Sequence, residues 1–222
     1  MNNARIYCLC LQDNLLEKVK KLNYLAVGLG QNKFSSEWIR DNTGENISTK
    51  NPFYGEYSFH YWMWKNEIDN IPDNTWIGFC TYRRFWSNKK NENSKIIFEK
   101  VLNEIPNEWN EYDVILADRL NVEGIKWMKV LKYGKAAILK NPKAIFKKNR
   151  NLKFNFDLFH GVGILDRAIA LLDDENKSDF KEYVNNNRSF NQVNMFISKS
   201  KTLIKNYYTT IFNWLNKCEK IF

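Results

Sequence analysis

Tyr82-Arg83-Arg84 is the group of side chains in this sequence best suited to hold an anion. It follows Trp76-Ile-Gly-Phe-Cys-Thr81, a run apolar enough to be a buried strand. Two guanidiniums there suit a diphosphate, because each presents a planar fork of donors with a permanent charge. Ligands of open α/β sheets bind beyond the carboxyl ends of the strands, and a guanidinium fixed in a dry crevice stabilises charge on a leaving group. The rival reading pairs one arginine with a structural carboxylate and leaves the other solvated. Glu56 opens an aromatic stretch, Tyr57-Ser-Phe-His-Tyr-Trp-Met-Trp64. There it either complements a helix N-terminus or hydrogen-bonds a sugar or nucleotide. Asp157 and His160, in Phe156-Asp-Leu-Phe-His160-Gly161, are the acid–base candidates. The glycine after the imidazole lets a backbone approach a ligand closely. His60, Met195 and Phe196 read as core, whereas Asn194 can point into a crevice.

The elements that must position these groups alternate between strand and helix patterns. Ala4–Leu11 is apolar and β-prone, Asp13–Lys21 suits a short helix, and Tyr24–Val27 reads as a strand closing at Gly28 and Gly30. Residues 31–55 are polar and turn-rich, a loop long enough to suggest function. A buried helix is expected over Glu56–Asn66 and a strand over Trp76–Thr81. Further on come a helical stretch around Lys95–Asn103, a strand at Tyr112–Ala117 and a basic helical segment broken at Gly134 and Pro142. A polar-aromatic patch at 156–161 precedes a helix over Ile164–Leu172. Phe190–Ser198 reads as a last strand or buried turn, and Lys201–Lys217 as a C-terminal helix. The pattern implies an α/β fold with a mostly parallel central sheet flanked by helices, in a single domain spanning residues 1–222.

The 222 residues include 44% hydrophobic and 15% aromatic side chains, which argues for a packed globular chain. No apolar run approaches the ~18 residues of a membrane span, and the N-terminus lacks the pattern of a secretory signal. Cys8, Cys10, Cys80 and Cys218 form no Cys-x-x-Cys pair, and only two histidines accompany them. Reduced thiols in a cytoplasmic protein are therefore expected rather than a zinc site. The net charge of +9 is concentrated: residues 126–153 hold nine lysines and Arg150 with no acidic residue, leaving 24 basic against 25 acidic residues elsewhere. Lys126, Lys129, Lys132, Lys147, Lys148 and Arg150 thus mark a surface for an anionic membrane or an acceptor. A merely solvated face and a nucleic-acid-binding surface are the alternatives.

Both aromatic blocks resemble a known family. Asn51…Tyr54-Gly-Glu56…Tyr61-Trp-Met-Trp64-Lys-Asn66, followed by Ile77-Gly-Phe-Cys-Thr-Tyr-Arg-Arg-Phe85, is similar to a family long described as a domain of unknown function. That family occurs among bacterial capsular and exopolysaccharide gene products. Asp113-Val-Ile-Leu116, His160-Gly161 and Asn194-Met-Phe-Ile197 fall where it carries similar pieces, so the likeness spans most of residues 4–215. The resemblance implies a GT-A-like transferase using a nucleotide-diphospho-sugar donor, with galactofuranosyltransferases among its relatives. It places Glu56, Tyr82, Arg83 and Arg84 at the donor site, and Gly28 and Asn194 join them as candidates. The implied acceptor is a glycan, free or lipid-linked, and the implied location is the cytoplasm, at the inner membrane face. Three departures stand out. Thr81 replaces a usual His, Gly55 replaces a usual Cys, and an arginine-containing helix would be expected beyond Phe222.

Metal-dependent nucleotide-sugar enzymes hold Mg²⁺ or Mn²⁺ through an Asp-x-Asp pair. This chain has none, so no cofactor is expected to be required and arginine becomes the candidate for neutralising phosphate. No P-loop or Gly-x-Gly-x-x-Gly fingerprint occurs either. A non-catalytic nucleic-acid-binding protein and a degenerate transferase that binds donor without turnover remain the competing readings.

Overall fold

The computed structural model describes residues 4–87, 93 and 95–222. In chain order the elements are β1 (Ala4–Cys10), α1 (Leu16–Lys21), β2 (Leu25–Gly28), β3 (Ile39–Arg40), α2 (Asn51–Tyr54), α3 (Tyr57–Trp62), β4 (Trp76–Thr81), α4 (Ile97–Lys100) and β5 (Val114–Leu116). Then come β6 (Leu120–Asn121), α5 (Trp127–Tyr133), α6 (Lys135–Lys140), α7 (Leu152–His160), α8 (Ile164–Ala170), α9 (Asp174–Asn186), β7 (Ser189–Phe190), β8 (Phe196–Ser198) and α10 (Lys201–Glu219). They form two compact units. The first comprises residues up to Ala117 with Val193–Thr210, and the second comprises Asp118–Gln192 with Ile211–Phe222.

The first unit is built on a six-stranded sheet in the order β3-β2-β1-β4-β8-β5. Only β8 runs against its neighbours, so the sheet is mostly parallel, as the alternating pattern implies. The two central strands pair in register from Ala4 opposite Trp76 to Leu9 opposite Thr81. All six residues of β4 are buried, and β1 is buried from Ile6 through Cys10. A strand covered on both faces reads as a continuous apolar run rather than an alternation, which is why both were legible. The sheet's α3 side holds Phe59 and His60 against Phe79, with Tyr7, Phe196 and Tyr208 completing an aromatic cluster. On the other side Val19, Leu22, Trp38, Trp86 and Leu102 gather around Cys8 and Cys80.

In the first unit three expectations needed adjustment. The loop over 31–55 contains β3, which joins the sheet edge through Val27–Ile39 and Gly28–Arg40 pairing. Two residues carry no usable period, so the strand was hidden. Helix α3 continues past Trp62 as a π-type turn over Met63–Glu67. Asn66 holds this widened turn, donating to the Trp62 and Glu45 carbonyls and accepting from the Glu45 N–H. Gly44 is required beside it, since a Cβ there would collide with Asn66 Oδ1. The helix around Lys95–Asn103 is confined to α4, after which Val101 and Leu102 enter the core.

In the second unit α5 and α6 break at Gly134, as the sequence implies. Val130, Ala137 and Ala144 pack with Phe154 and Leu158 of α7, while Val122, Leu152, Leu165, Ile169 and Val184 form a neighbouring cluster. Residues 156–160, read as a polar-aromatic patch ahead of a helix, are themselves the second half of α7, whose cap is Asn151 accepting from the Phe154 N–H. Asp173 likewise caps α9. Val184 is the buried residue of that helix, so its apolar period was too weak to announce it.

Candidate functional site

Because β1–β4 run parallel, their carboxyl ends share one edge of the first unit's sheet. The chain adds β2 and β3 on one side of β1 and then returns to place β4 on the other. The strand order therefore reverses between β1 and β4, the position where open sheets leave a crevice for ligands. Beyond β4 the chain folds back at once. Arg84 N–H donates to the Thr81 carbonyl at 3.1 Å, Thr81 N–H donates to the Arg84 carbonyl at 3.2 Å, and Tyr82 N–H reaches the Leu9 carbonyl at 3.1 Å. This tight turn leaves Arg83 and Arg84 exposed, with the Arg83 guanidinium 5.0 Å from the Tyr82 ring centre. Neither arginine makes an ion pair among the described residues.

Beyond β2 a second set of contacts forms a buried scaffold. Gly30 has φ +67°, and its N–H donates to Asp41 Oδ1 at 2.8 Å. Asp41 is fully buried, and its other oxygen accepts from the Ser58 hydroxyl at 2.5 Å. Burial raises the Asp41 carboxyl above its ordinary range, while the bonds from Ser58 and Gly30 and the charge of Arg40 oppose that shift. Arg40 donates to the carbonyls of Gly28 and Gly30, and Asn51 donates to the Ser58 hydroxyl and the Gly55 carbonyl. Asp41 and Ser58 went unremarked in the sequence because neither sits in a recognisable motif. Their pairing exists only once the loop after β3 meets α3.

Gly28 has a packing reason of its own. A Cβ there would lie 2.7 Å from the Phe34 ring, which also faces the Arg40 guanidinium at 4.6 Å. Glu56, half-buried at the start of α3, accepts a long 3.4 Å contact from Asn194 Nδ2. Asn194 precedes β8, and the antiparallel register (Gly78 opposite Ile197) brings that end of β8 to the edge where β4 finishes. Glu56, Asn194, Gly28 and Tyr82–Arg84 therefore all belong to one sheet edge of one unit. His60, read as core, is fully buried. Its Nδ1 lies 2.9 Å from the Tyr208 hydroxyl, and desolvation pushes its pKa down to about 3, so the ring stays neutral.

The aromatic motif around Tyr61–Asn66 has a structural task. Tyr61 donates to Glu45, Trp62 Nε1 to the Thr43 hydroxyl, and Asn66 grips the Glu45 backbone. Its most specific residues thus fasten the 43–45 loop to α3.

Asp157 and His160 belong to the second unit. Asp157 is buried, one oxygen 3.1 Å from Lys153 Nζ and the other accepting from the Gly163 N–H at 3.3 Å. Lys153 also pairs with Asp166 at 2.8 Å. This carboxylate ties the end of α7 to the start of α8. His160 is exposed, its ring 4.5 Å from Phe156.

Arg150, assigned by sequence to the basic surface, is instead wholly buried. Its guanidinium donates to the Ile125 carbonyl at 2.8 Å and the Ala144 carbonyl at 3.1 Å. A side chain closing loops from inside cannot face a membrane. Lys126, Lys129, Lys132, Lys147 and Lys148 are exposed as expected.

Among the described residues no group of three or more His, Cys, Asp or Glu side chains is gathered as a metal site. No described helix is long and apolar enough to cross a membrane. Comparison with curated proteins found no match. Among solved structures the fold matches that of the apo WbbM bifunctional glycosyltransferase, with a TM-score of 0.61 and 21% identity. The match covers 100% of this chain and 38% of that one, so this chain spans well under half of that protein. It establishes that the chain shares a mixed α/β fold with part of that protein. Residues 5–222 match the family described as "Domain of unknown function (DUF4422)", and the chain belongs to that family.

Proposed function

We propose that this chain is a glycosyltransferase that moves a sugar from a nucleotide-diphosphate donor to a hydroxyl of a surface glycan, free or lipid-linked. The observation that carries the reading is the exposed Arg83–Arg84 pair at the point where the strand order reverses. The two guanidiniums would hold the diphosphate and stabilise its charge as it leaves. Tyr82 and the Gly28–Gly30 turn would flank the nucleotide, and Glu56 with Asn194 would hydrogen-bond the sugar. Galactofuranose is the sugar suggested by the family resemblance. Asp157, engaged through both oxygens, is a poor general base for the acceptor. Glu56 is a half-buried carboxylate at the sheet edge, whereas Asp41 there is fully buried and engaged, so Glu56 is the better candidate. Divalent metal is left to the experiment below. Holding donor and acceptor in one crevice supplies much of the remaining acceleration.

The test is thermal stabilisation of the wild-type chain and of Arg83→Ala/Arg84→Ala by a panel of nucleoside diphosphates and nucleotide sugars, with and without Mn²⁺. A ligand at ~100 times its dissociation constant should stabilise the fold by about 2.7 kcal/mol. Stabilisation by one nucleoside class, lost in the double variant, supports the donor site and names the donor to assay. Stabilisation by no nucleotide would sink the reading. Stabilisation without sugar transfer to any glycan would identify a degenerate transferase.

A further inference from the structure

Burial divides the side chains of the basic segment into two sets. Val130, Ala137 and Ala144 point inward and fill the core against Phe154 and Leu158. Outward, Met128 and Leu139 are each 82% exposed, Phe146 64% and Leu131 59%. Those four large apolar side chains are left in water within one short stretch of chain, where soluble surfaces rarely concentrate them. Around them Lys126, Lys129, Lys132, Lys143, Lys147 and Lys148 are exposed too. The segment contains no carboxylate. Arg150 and Lys153 are turned inward by hydrogen bonds and ion pairs, so the outward cations are lysines alone.

We infer that this face of the second unit docks on an anionic lipid bilayer, with Met128, Leu131, Leu139 and Phe146 entering the headgroup boundary. The lysines would lie around them against lipid phosphates. Apolar anchors flanked by lysine are the composition of an interfacial surface. Long lysine stems can follow the anchors into the boundary while their ammonium groups stay in water. No described helix is long and apolar enough to span a bilayer. Charge selects this occupant over the alternatives. A second copy would bring the same lysines face to face. A nucleic acid would use the lysines but leave Met128 and Leu139 in water, since aliphatic side chains offer no stacking plane for bases. The inference goes beyond sugar transfer and does not depend on it, although a lipid-linked acceptor would make the two compatible.

The test is co-sedimentation of the full chain with phosphatidylcholine vesicles, with and without roughly a third phosphatidylglycerol. The expected result is partition onto the anionic vesicles, reduced about tenfold or more by Met128→Asp/Leu139→Asp. Met128→Ser/Leu139→Ser should give a smaller loss, and both variants should keep the wild-type melting curve and nucleotide response. Lys126→Gln/Lys129→Gln/Lys132→Gln should also weaken binding, most at low salt. Absence of binding to anionic vesicles at low salt overturns the proposal. So does binding that the folded Met128 and Leu139 variants leave unchanged, which would indicate a general polyanion surface. Loss of a wild-type dimer in those variants, without any vesicle binding, would assign the face to self-association instead. Because none of these readouts involves turnover, their failure leaves the donor-site reading standing.

Discussion

Arg83 and Arg84 in the first unit and Arg150 in the second have opposite fates. At the sheet edge of the first, Arg83 and Arg84 project from a tight turn into water, while further along the same edge, beyond β2 and β3, a buried network joins Asp41, Ser58, Asn51 and Gly30. In the basic segment of the second, Arg150 is the buried element and the segment's exposed cations are lysines. The first region is therefore built like a site, with polar groups fixed along the same sheet edge that presents the arginine pair. The second is built like an adhesive surface, where total charge and exposed apolar area matter more than the place of any one group. The lesson is that local charge density is a poor guide to which arginine can meet a ligand.

The largest effect that sharpens this contrast should come from Arg150→Ala. It strands the Ile125 and Ala144 carbonyls and opens a cavity. A loss of about 3 kcal/mol or more is expected in urea unfolding. A loss below ~1 kcal/mol, the range of an exposed residue, would erase the distinction between Arg150 and its lysine neighbours. Next comes Asp41→Ala, which leaves the Gly30 N–H and Ser58 hydroxyl without their acceptor and should cost about 2 kcal/mol.

Asp41 also carries a pH signature. Burial raises its folded-state carboxyl above the unfolded value, so the native state keeps that proton to higher pH. The stability contributed by this group is present below the unfolded value and is lost as pH rises through the folded one. Asp41→Asn removes that loss, so its unfolding midpoint should gain on wild type as pH rises from the ordinary carboxylate range. Parallel pH profiles would show that Asp41 is not the raised group. The smallest effect belongs to Arg83→Ala, which should change stability by no more than ~0.5 kcal/mol while abolishing nucleotide stabilisation. A large loss of stability would make Arg83 structural and collapse the comparison.

Much of the fold was legible because it depends on local pattern. β1 and β4 are continuous apolar runs, α10 keeps a helical period over 19 residues, and Gly134 interrupts the basic helices. The Tyr82–Arg84 edge could be read as well, since an apolar run followed by Tyr-Arg-Arg implies a strand with arginines at its carboxyl end. β3 and α9 were not legible, one being too short and the other too polar to carry a period. The motif at Tyr61–Asn66 was visible, but its task was not. Its side chains fasten a loop some 20 residues earlier, a contact no spacing rule encodes.

The sequence by itself determined the mostly parallel α/β architecture, the arginine pair that follows a buried strand and the acid-free basic segment. All three follow from residue type and short-range order. Only the tertiary structure decided that Asp41 would be buried beneath Gly30, that both Asp157 oxygens would be engaged between two helices, and that Arg150 would turn inward while Met128 and Leu139 faced water. The physical reason is common to these cases. Burial and hydrogen-bond partners are set by which segments meet across the fold, and the same aspartate or arginine is a site or a strut according to what lies opposite it.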